Sequence, residues 1–171
     1  LYLSSGNSGG CRPKCLYQDE DGLWLVKFRH TYDPMDMGVQ EYHCNQLARR
    51  CGIEVPDFKL LNDTYFASKR FDISSDGRPL HMATAAALLN ENIYPPKTDY
   101  KVLLALTGYI TQSPAEVEQM FRRMVFNVLI GNKDDHAKNF SFVHRDDGWH
   151  LAPAYDLTRC VQGYNGEHAT S

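Results

Sequence analysis

No two cysteines in this chain stand at Cys-x-x-Cys spacing, and the five that occur (Cys11, Cys15, Cys44, Cys51, Cys160) are odd in number. Neither a zinc ribbon nor a disulfide framework is therefore encoded, and the thiols read as reduced. The seven histidines are scattered without a His-x-x-x-His pair, so no helical zinc motif is written either. A run of about eighteen apolar residues is missing, which leaves no segment expected to span a bilayer. Leu1 to Gly6 lacks the basic and apolar regions of a signal peptide, and cytoplasmic residence is the expectation. Positive charge is also scarce: 18 Lys and Arg against 21 Asp and Glu give a net charge of −3, with a pI near 6.2. Such a balance offers no basic field to a phosphate backbone, and direct nucleic-acid binding is not expected. Internal repeats and low-complexity tracts are absent as well.

What is present suits one ordinary domain or two small lobes: 171 residues, 43 % of them hydrophobic, are enough for a real core. The first part reads as strand. Gly6-Asn7-Ser8-Gly9-Gly10 is a flexible glycine-rich turn, and Lys14 to Gln18 and Leu23 to Phe28 form a hairpin around Asp19-Glu20-Asp21-Gly22. Gly38 to Arg50 carries helical periodicity, with Val39, Tyr42 and Leu47 expected inward and Glu41, Arg49 and Arg50 outward, and Gly52 at its C-cap. Val55 to Leu61 and Thr64 to Phe71 complete a small antiparallel sheet. The polar stretch Asp72 to Pro79 marks a boundary, after which the pattern turns helical: Met82 to Leu89, Asp99 to Ile110, and a helix opened by the capping box Ser113-Pro114-Ala115-Glu116 and closed at Gly131. That last helix is expected to bury Val117, Met120, Phe121, Met124, Val125, Val128 and Leu129. Phe140 to His144 and Trp149 to Leu151 read as a second hairpin.

Chemistry is concentrated after Gly131. Asp134 and Asn139 repeat the spacing between the catalytic aspartate and the metal-binding asparagine of protein-kinase catalytic loops, and Asp156 stands alone at the exit of the hairpin that follows. An acid can accept a hydroxyl proton, while an amide and a second carboxylate can share a hard cation such as Mg²⁺. A polar helix-to-strand loop uses the same residue types, so context carries the weight: an apolar helix delivers the loop and a hairpin returns from it. Lys27, inside the apolar strand Trp24 to Phe28, can hold nucleotide phosphates and pair with Glu41 on the following helix; spacing alone fits a solvent-facing lysine and glutamate equally well. Lys138 offers a cation beside a transferring phosphoryl group or a solvated loop charge. His136 suits a general acid, a ribose contact or a loop support. Asp72 falls where two lobes would meet. The glycine-rich stretch fits neither the P-loop nor the Gly-x-Gly-x-x-Gly pattern, and a metallohydrolase using Asp134, Asp135 and His136 is disfavoured because consecutive loop residues rarely converge on one ion.

Taken together, Ser8-Gly9-Gly10-Cys11-Arg12-Pro13-Lys14, Leu25-Val26-Lys27-Phe28, Lys69-Arg70-Phe71-Asp72, Phe126 to Gly131, Asp134 to Ser141 and Leu151 to Asp156 resemble a HipA-type serine/threonine kinase, the toxin of bacterial toxin–antitoxin modules. The resemblance implies an α+β, bilobal, protein-kinase-like fold, with residues 1–72 forming a β-rich N-lobe and residues 73–171 a helical C-lobe. It implies ATP and Mg²⁺ as cofactors, Asp134 as catalytic base with Lys138 beside it, and Asn139 and Asp156 as metal ligands. Lys27 would bind phosphate, Asp72 and His136 the ribose, and Lys69 and Phe71 would offer main-chain groups to adenine. It further implies autophosphorylation of a glycine-loop serine, Ser8 foremost with Ser5 and Ser4 behind it. An aminoacyl-tRNA synthetase is the implied substrate, and a DNA-binding antitoxin or a complementary toxin subunit the implied partner. Leu157 after the exit acid departs from the Asp-Phe-Gly of ordinary kinases but suits the HipA pattern. The family continues past this chain with a helical segment, so a truncated or naturally short core is expected, and a catalytically inactive nucleotide- or partner-binding module is the alternative.

Overall fold

Alternating Leu23-Trp24-Leu25-Val26 sends Trp24 and Val26 into a core with Ala67, and that pattern builds the first sheet. The computed structural model describes residues 2–4, 12–91 and 98–160. Strands β1 (Tyr2–Ser4), β2 (Lys14–Asp19), β3 (Gly22–Lys27), β4 (Phe58–Leu61) and β5 (Tyr65–Lys69) form a five-stranded antiparallel sheet in the order β1-β2-β3-β5-β4. The β2–β3 hairpin pairs Lys14 with Lys27 and Asp19 with Gly22. Helix α1 (Met37–Arg50) packs on β4 and β5. It can do so because Gly38 sits against the backbone: a Cβ there would lie 2.1 Å from the Thr64 carbonyl oxygen. The helix ends as its sequence predicts, with Gly52 at a φ of +73° just beyond the cap.

The remainder combines helices with a three-stranded antiparallel sheet. It comprises β6 (Met82–Thr84), α2 (Ala85–Leu88), α3 (Tyr100–Thr111), α4 (Pro114–Ile130), a 3₁₀ turn over Ala137–Asn139, β7 (Ser141–Arg145) and β8 (Gly148–Leu151). Asp99 caps α3 by accepting from the Val102 amide, and Ser113 caps α4 by accepting from the Glu116 amide. Glu116 does not return to the cap as a reciprocal box would. Its carboxylate instead accepts from the Leu151 amide at 2.5 Å and meets His150 Nδ1 at 2.9 Å, tying α4 to β8. Among the described residues no helix is long and apolar enough to cross a membrane.

Three expectations are corrected. Met82 to Leu89 is not one helix: Met82–Thr84 pairs with β7, and only Ala85–Leu88 is helical, because the free edge of β7 takes a third strand. Glu41 does not face outward; it is 2 % exposed, whereas Leu47 is 44 % exposed. On α4 only part of the predicted apolar row is buried: Met120 is, but Phe121, Val125, Val128 and Leu129 are exposed, and the buried side also carries Arg123, Phe126 and Asn127. The reason is local: polar groups from that face are needed beneath the loop that follows the helix.

Two apolar clusters set the geometry. Tyr100, Leu103, Met120, Phe140, Phe142 and Leu151 bind α3 and α4 to the second sheet. Ala48 and Ile53 meet Phe126, Ala154 and Leu157, a seam that joins the α1 side of the molecule to α4 and to the segment bearing Asp156. Burying side chains of this size stabilises by roughly 1.5 to 3 kcal/mol each.

Candidate active site

Lys27 leaves β3 on the face opposite Trp24 and Val26 and ends between two carboxylates. Its ammonium is hydrogen-bonded to both Glu41 of α1 and Asp156, with Lys27 only 10 % and Glu41 only 2 % exposed while Asp156 keeps 38 % of its side-chain surface open. Burial alone would lower the Lys27 pKa; the charges and hydrogen bonds of Asp156 and Glu41 overcome it and hold the ammonium above its ordinary value. Burial would likewise raise Asp156, yet Lys27 keeps that carboxyl below the usual range. Glu41 lies above it, first because of burial and further because of the like charge on Asp156, with Lys27 opposing. One ammonium thus faces two carboxylates, and the trio carries an excess negative charge beside an open edge. Arg12, paired with Asp33 at 2.8 Å, and Lys14 both act electrostatically on Asp156.

Asp156 adopts a φ of +55°, a left-handed conformation that costs a side-chain-bearing residue free energy but suits Asp and Asn better than most. A buried polar network holds the neighbouring loop. Tyr100 donates to Asp135 at 2.6 Å, Asn127 donates to the Tyr100 hydroxyl at 3.0 Å, and Asn132 donates to Asn127 Oδ1 at 3.1 Å. The Asn132 and Asn127 backbones are joined at 2.9 Å, and Lys133 donates to the Cys160 carbonyl. Buried polar groups rigidify what they hold when paired this way, although Asn132 Oδ1 in this network is buried without a partner. Asn139 then donates through Nδ2 to the Asp134 carbonyl at 2.7 Å, which closes the loop on itself and directs its amide oxygen away from that bond. The Tyr155 hydroxyl bonds the Lys138 carbonyl at 2.7 Å and Ser141 Oγ at 2.5 Å, and its ring stacks on Phe71 with centroids 5.9 Å apart.

Asp134 itself points outward. Partial burial raises its carboxyl pKa, with His136 opposing and Asp156 adding to the rise; its side chain is 64 % exposed, so water screens these effects. His136 Nε2 lies 3.6 Å from Asp134 Oδ1, while its Nδ1 is buried without a partner. Lys138 is exposed. Asp72 receives both ends of a fork from Arg70, at 2.5 and 2.6 Å. The Lys69 amide donates to the Asp57 carbonyl at 2.7 Å, so that N–H is engaged at the sheet edge. Ser5, Ser8 and the glycine-rich stretch lie outside the described residues.

The donor set suits a hard cation. Asn139 and Asp156 offer oxygen ligands, Asp156 is ionised, and no cluster of three or more His, Cys, Asp or Glu able to hold a metal occurs among the described residues. Mg²⁺ characteristically binds through one or two carboxylates together with substrate phosphates and water.

A lysine from a β-sheet is thus gripped by a helix glutamate and an exit aspartate, and that aspartate acts electrostatically on Asp134. Residues 6–171 match the HipA-like C-terminal domain. The chain belongs to that family. The HipA-like chain is 30 % identical over 166 residues to the putative kinase Y4dM of Sinorhizobium fredii, covering 85 % of this chain and 39 % of that protein. It is 25 % identical over 157 residues to a putative kinase of Haemophilus influenzae, covering 81 % and 46 %. It therefore spans less than half the length of these relatives. In fold it superposes on HipA of Shewanella oneidensis, solved with HipB and operator DNA, with a TM-score of 0.72, 21 % identity, and coverage of 94 % of this chain and 45 % of that one. The proinflammatory kinase CtkA of Helicobacter pylori gives 0.69 at 22 % identity, covering 94 % and 59 %. Mixed α/β architecture with antiparallel sheets is common to them.

Sequence reasoning missed the Asn127, Asn132 and Tyr100 support and the close approach at Gly38. Polar residues four apart on one face of an otherwise apolar helix, Arg123 and Asn127, were the available signal. Gly38 carried none, since its role depends on a strand turn distant in sequence.

Proposed function

We propose that this HipA-like chain is the nucleotide-binding and catalytic core of an ATP- and Mg²⁺-dependent serine/threonine protein kinase. The observation that carries the reading is Lys27 held between Glu41 and Asp156, since a strand lysine fixed by a helix glutamate beside an aspartate that follows the second sheet fits the parts protein kinases use for phosphoryl transfer. On this reading the first sheet with α1, within residues 1–72, is a small lobe, residues 73–171 are the larger one, and nucleotide lies between them. Lys27 binds the phosphates, and Asn139 and Asp156 hold Mg²⁺, which when bound neutralises charge on the phosphate oxygens. Asp134 accepts the proton of the attacking serine or threonine hydroxyl as the new O–P bond forms and the bond to the ADP oxygen breaks. Lys138 steadies the transferred group, while His136 and Asp72 contact the ribose, with Phe71 beside the base. Self-regulation by phosphorylation of Ser8 or Ser5 has a physical basis, because a dianion in a phosphate cradle repels the nucleotide. The Shewanella neighbour is solved with HipB and DNA, which supports an antitoxin partner here; an aminoacyl-tRNA synthetase remains the proposed substrate.

Transfer of label from γ-labelled ATP to protein tests this. Wild type should transfer label in Mg²⁺, with Asp134→Ala and Asp156→Ala reduced by about a hundredfold or more. A second reading, an inactive kinase-like module that binds nucleotide or a partner, is favoured by the outward apolar row of α4, with Leu129 80 % and Val128 52 % exposed. Tight nucleotide binding with no transfer by wild type would establish it over the kinase.

A further inference from the structure

A cavity of about 540 Å³ lies between α4, the β7–β8 hairpin and the segment after α1. That volume is in the range of pockets that enclose small organic ligands. Its wall includes four cationic side chains, Arg122, Arg123, Arg145 and His150, and their commitments differ. Arg122 is neutralised by Glu118 at 2.6 Å. His150 is held between Glu116 at 2.9 Å and Asp147 at 2.8 Å. Arg123 has no such partner. It is 2 % exposed, and neither its Nε nor its Nη2 has a hydrogen-bond acceptor. The Glu116 carboxylate, which receives His150 and the Leu151 amide, makes no hydrogen bond to either of those atoms. Burial brings the guanidinium pKa down to about 10, with Glu54, Tyr155 and Glu116 opposing the fall.

A buried guanidinium of this kind calls for a planar anionic acceptor. The same wall carries Glu54, Glu116 and Glu118, which repel a dianion more than a single charge. We propose that this cavity binds a carboxylate, presented by an acidic side chain of a peptide segment, with Arg123 as the buried anchor and Arg145 at the exposed rim. None of the residues proposed to hold nucleotide or Mg²⁺ lines this cavity, and the proposal does not depend on kinase activity.

The test uses the 171-residue chain and the peptide Ac-Ala-Glu-Ala-NH₂, with its Gln counterpart and inorganic phosphate as controls at constant ionic strength. Saturable binding is expected by calorimetry and by shifts of the Arg123 Nε–H resonance. The Gln peptide and phosphate should each bind at least about tenfold more weakly, as loss of a charge-assisted bidentate pair implies. Arg123→Met should abolish binding and raise the melting temperature of the unliganded protein, because it removes an unpaired buried charge. Arg145→Gln, at an exposed position, should weaken binding without altering the fold, and it decides the matter if Arg123→Met fails to fold. No saturable binding of the Glu peptide, equal affinity for its Gln counterpart, tighter binding of phosphate, or unchanged affinity in either folded variant would overturn the assignment.

Discussion

Lys27 supplies the only positive charge within hydrogen-bonding distance of either Glu41 or Asp156 among the described contacts, so the consequences of removing it differ from those of removing either acid. Lys27→Met leaves a carboxylate that is 2 % exposed with no counter-charge, and truncating one partner of a buried pair costs about 3 to 5 kcal/mol. Denaturant unfolding should show that loss, together with loss of phosphate transfer. Glu41→Gln, which keeps a hydrogen-bonding side chain and leaves Lys27 paired with Asp156, should cost less stability than Lys27→Met while still reducing transfer. Equal destabilisation by the two substitutions would mean that the charge balance described here is wrong. The outward aim of Glu41 expected from helical periodicity failed at this scale for the same reason: its partner comes from a different element, and periodicity counts only apolar faces.

Helix α1 can bring Glu41 to Lys27 only because Gly38, one turn earlier, lets the helix touch the β4–β5 turn. Any side chain there meets the Thr64 carbonyl, and overpacking of this kind costs roughly 1 to 3 kcal/mol. Gly38→Ala is therefore expected to lower stability by that amount and to weaken nucleotide binding, because α1 must shift. A variant with wild-type affinity would show that the helix position is not limiting. At the junction of α4 with β8, His150 is raised above its ordinary value by its hydrogen bonds to Glu116 and Asp147. A histidine whose folded pKa exceeds its unfolded one contributes stability fully present below about pH 6.5 and lost as pH rises through the folded value. The wild-type protein should thus lose unfolding free energy between pH 6 and pH 8 relative to His150→Gln, measured in urea. Identical pH dependence in the two proteins would remove His150 from the account. The caps Ser113 and Gly52 were legible beforehand, since each acts within its own segment; the strand at Met82 was not, because it forms by pairing with residues far along the chain.

The molecule as a whole is joined by the seam of Ala48, Ile53, Phe126, Ala154 and Leu157 and by the Lys27–Asp156 pair. A ligand that binds the folded form stabilises it by mass action, about 2.7 kcal/mol at a hundredfold excess over Kd. ATP with Mg²⁺ should accordingly raise the melting temperature of wild type more than ATP with EDTA, and Asp156→Asn should erase that difference. A wild-type protein indifferent to Mg²⁺ would count against Asn139 and Asp156 as its ligands.

By itself the sequence determined the local pieces: the β2–β3 hairpin from its alternation and turn, α3 from its apolar run and α4 from its N-cap, the loop from Asp134 to Asn139, and the family through motifs that lie within short stretches. These follow from forces acting over a few residues. Only the tertiary structure decided which way Glu41 and the apolar row of α4 face, that Arg123 is buried without a partner, and that Lys27 meets Asp156 across 129 positions of chain. Such pairings depend on how separate elements pack, and the burial that makes them strong does not exist until the elements have come together.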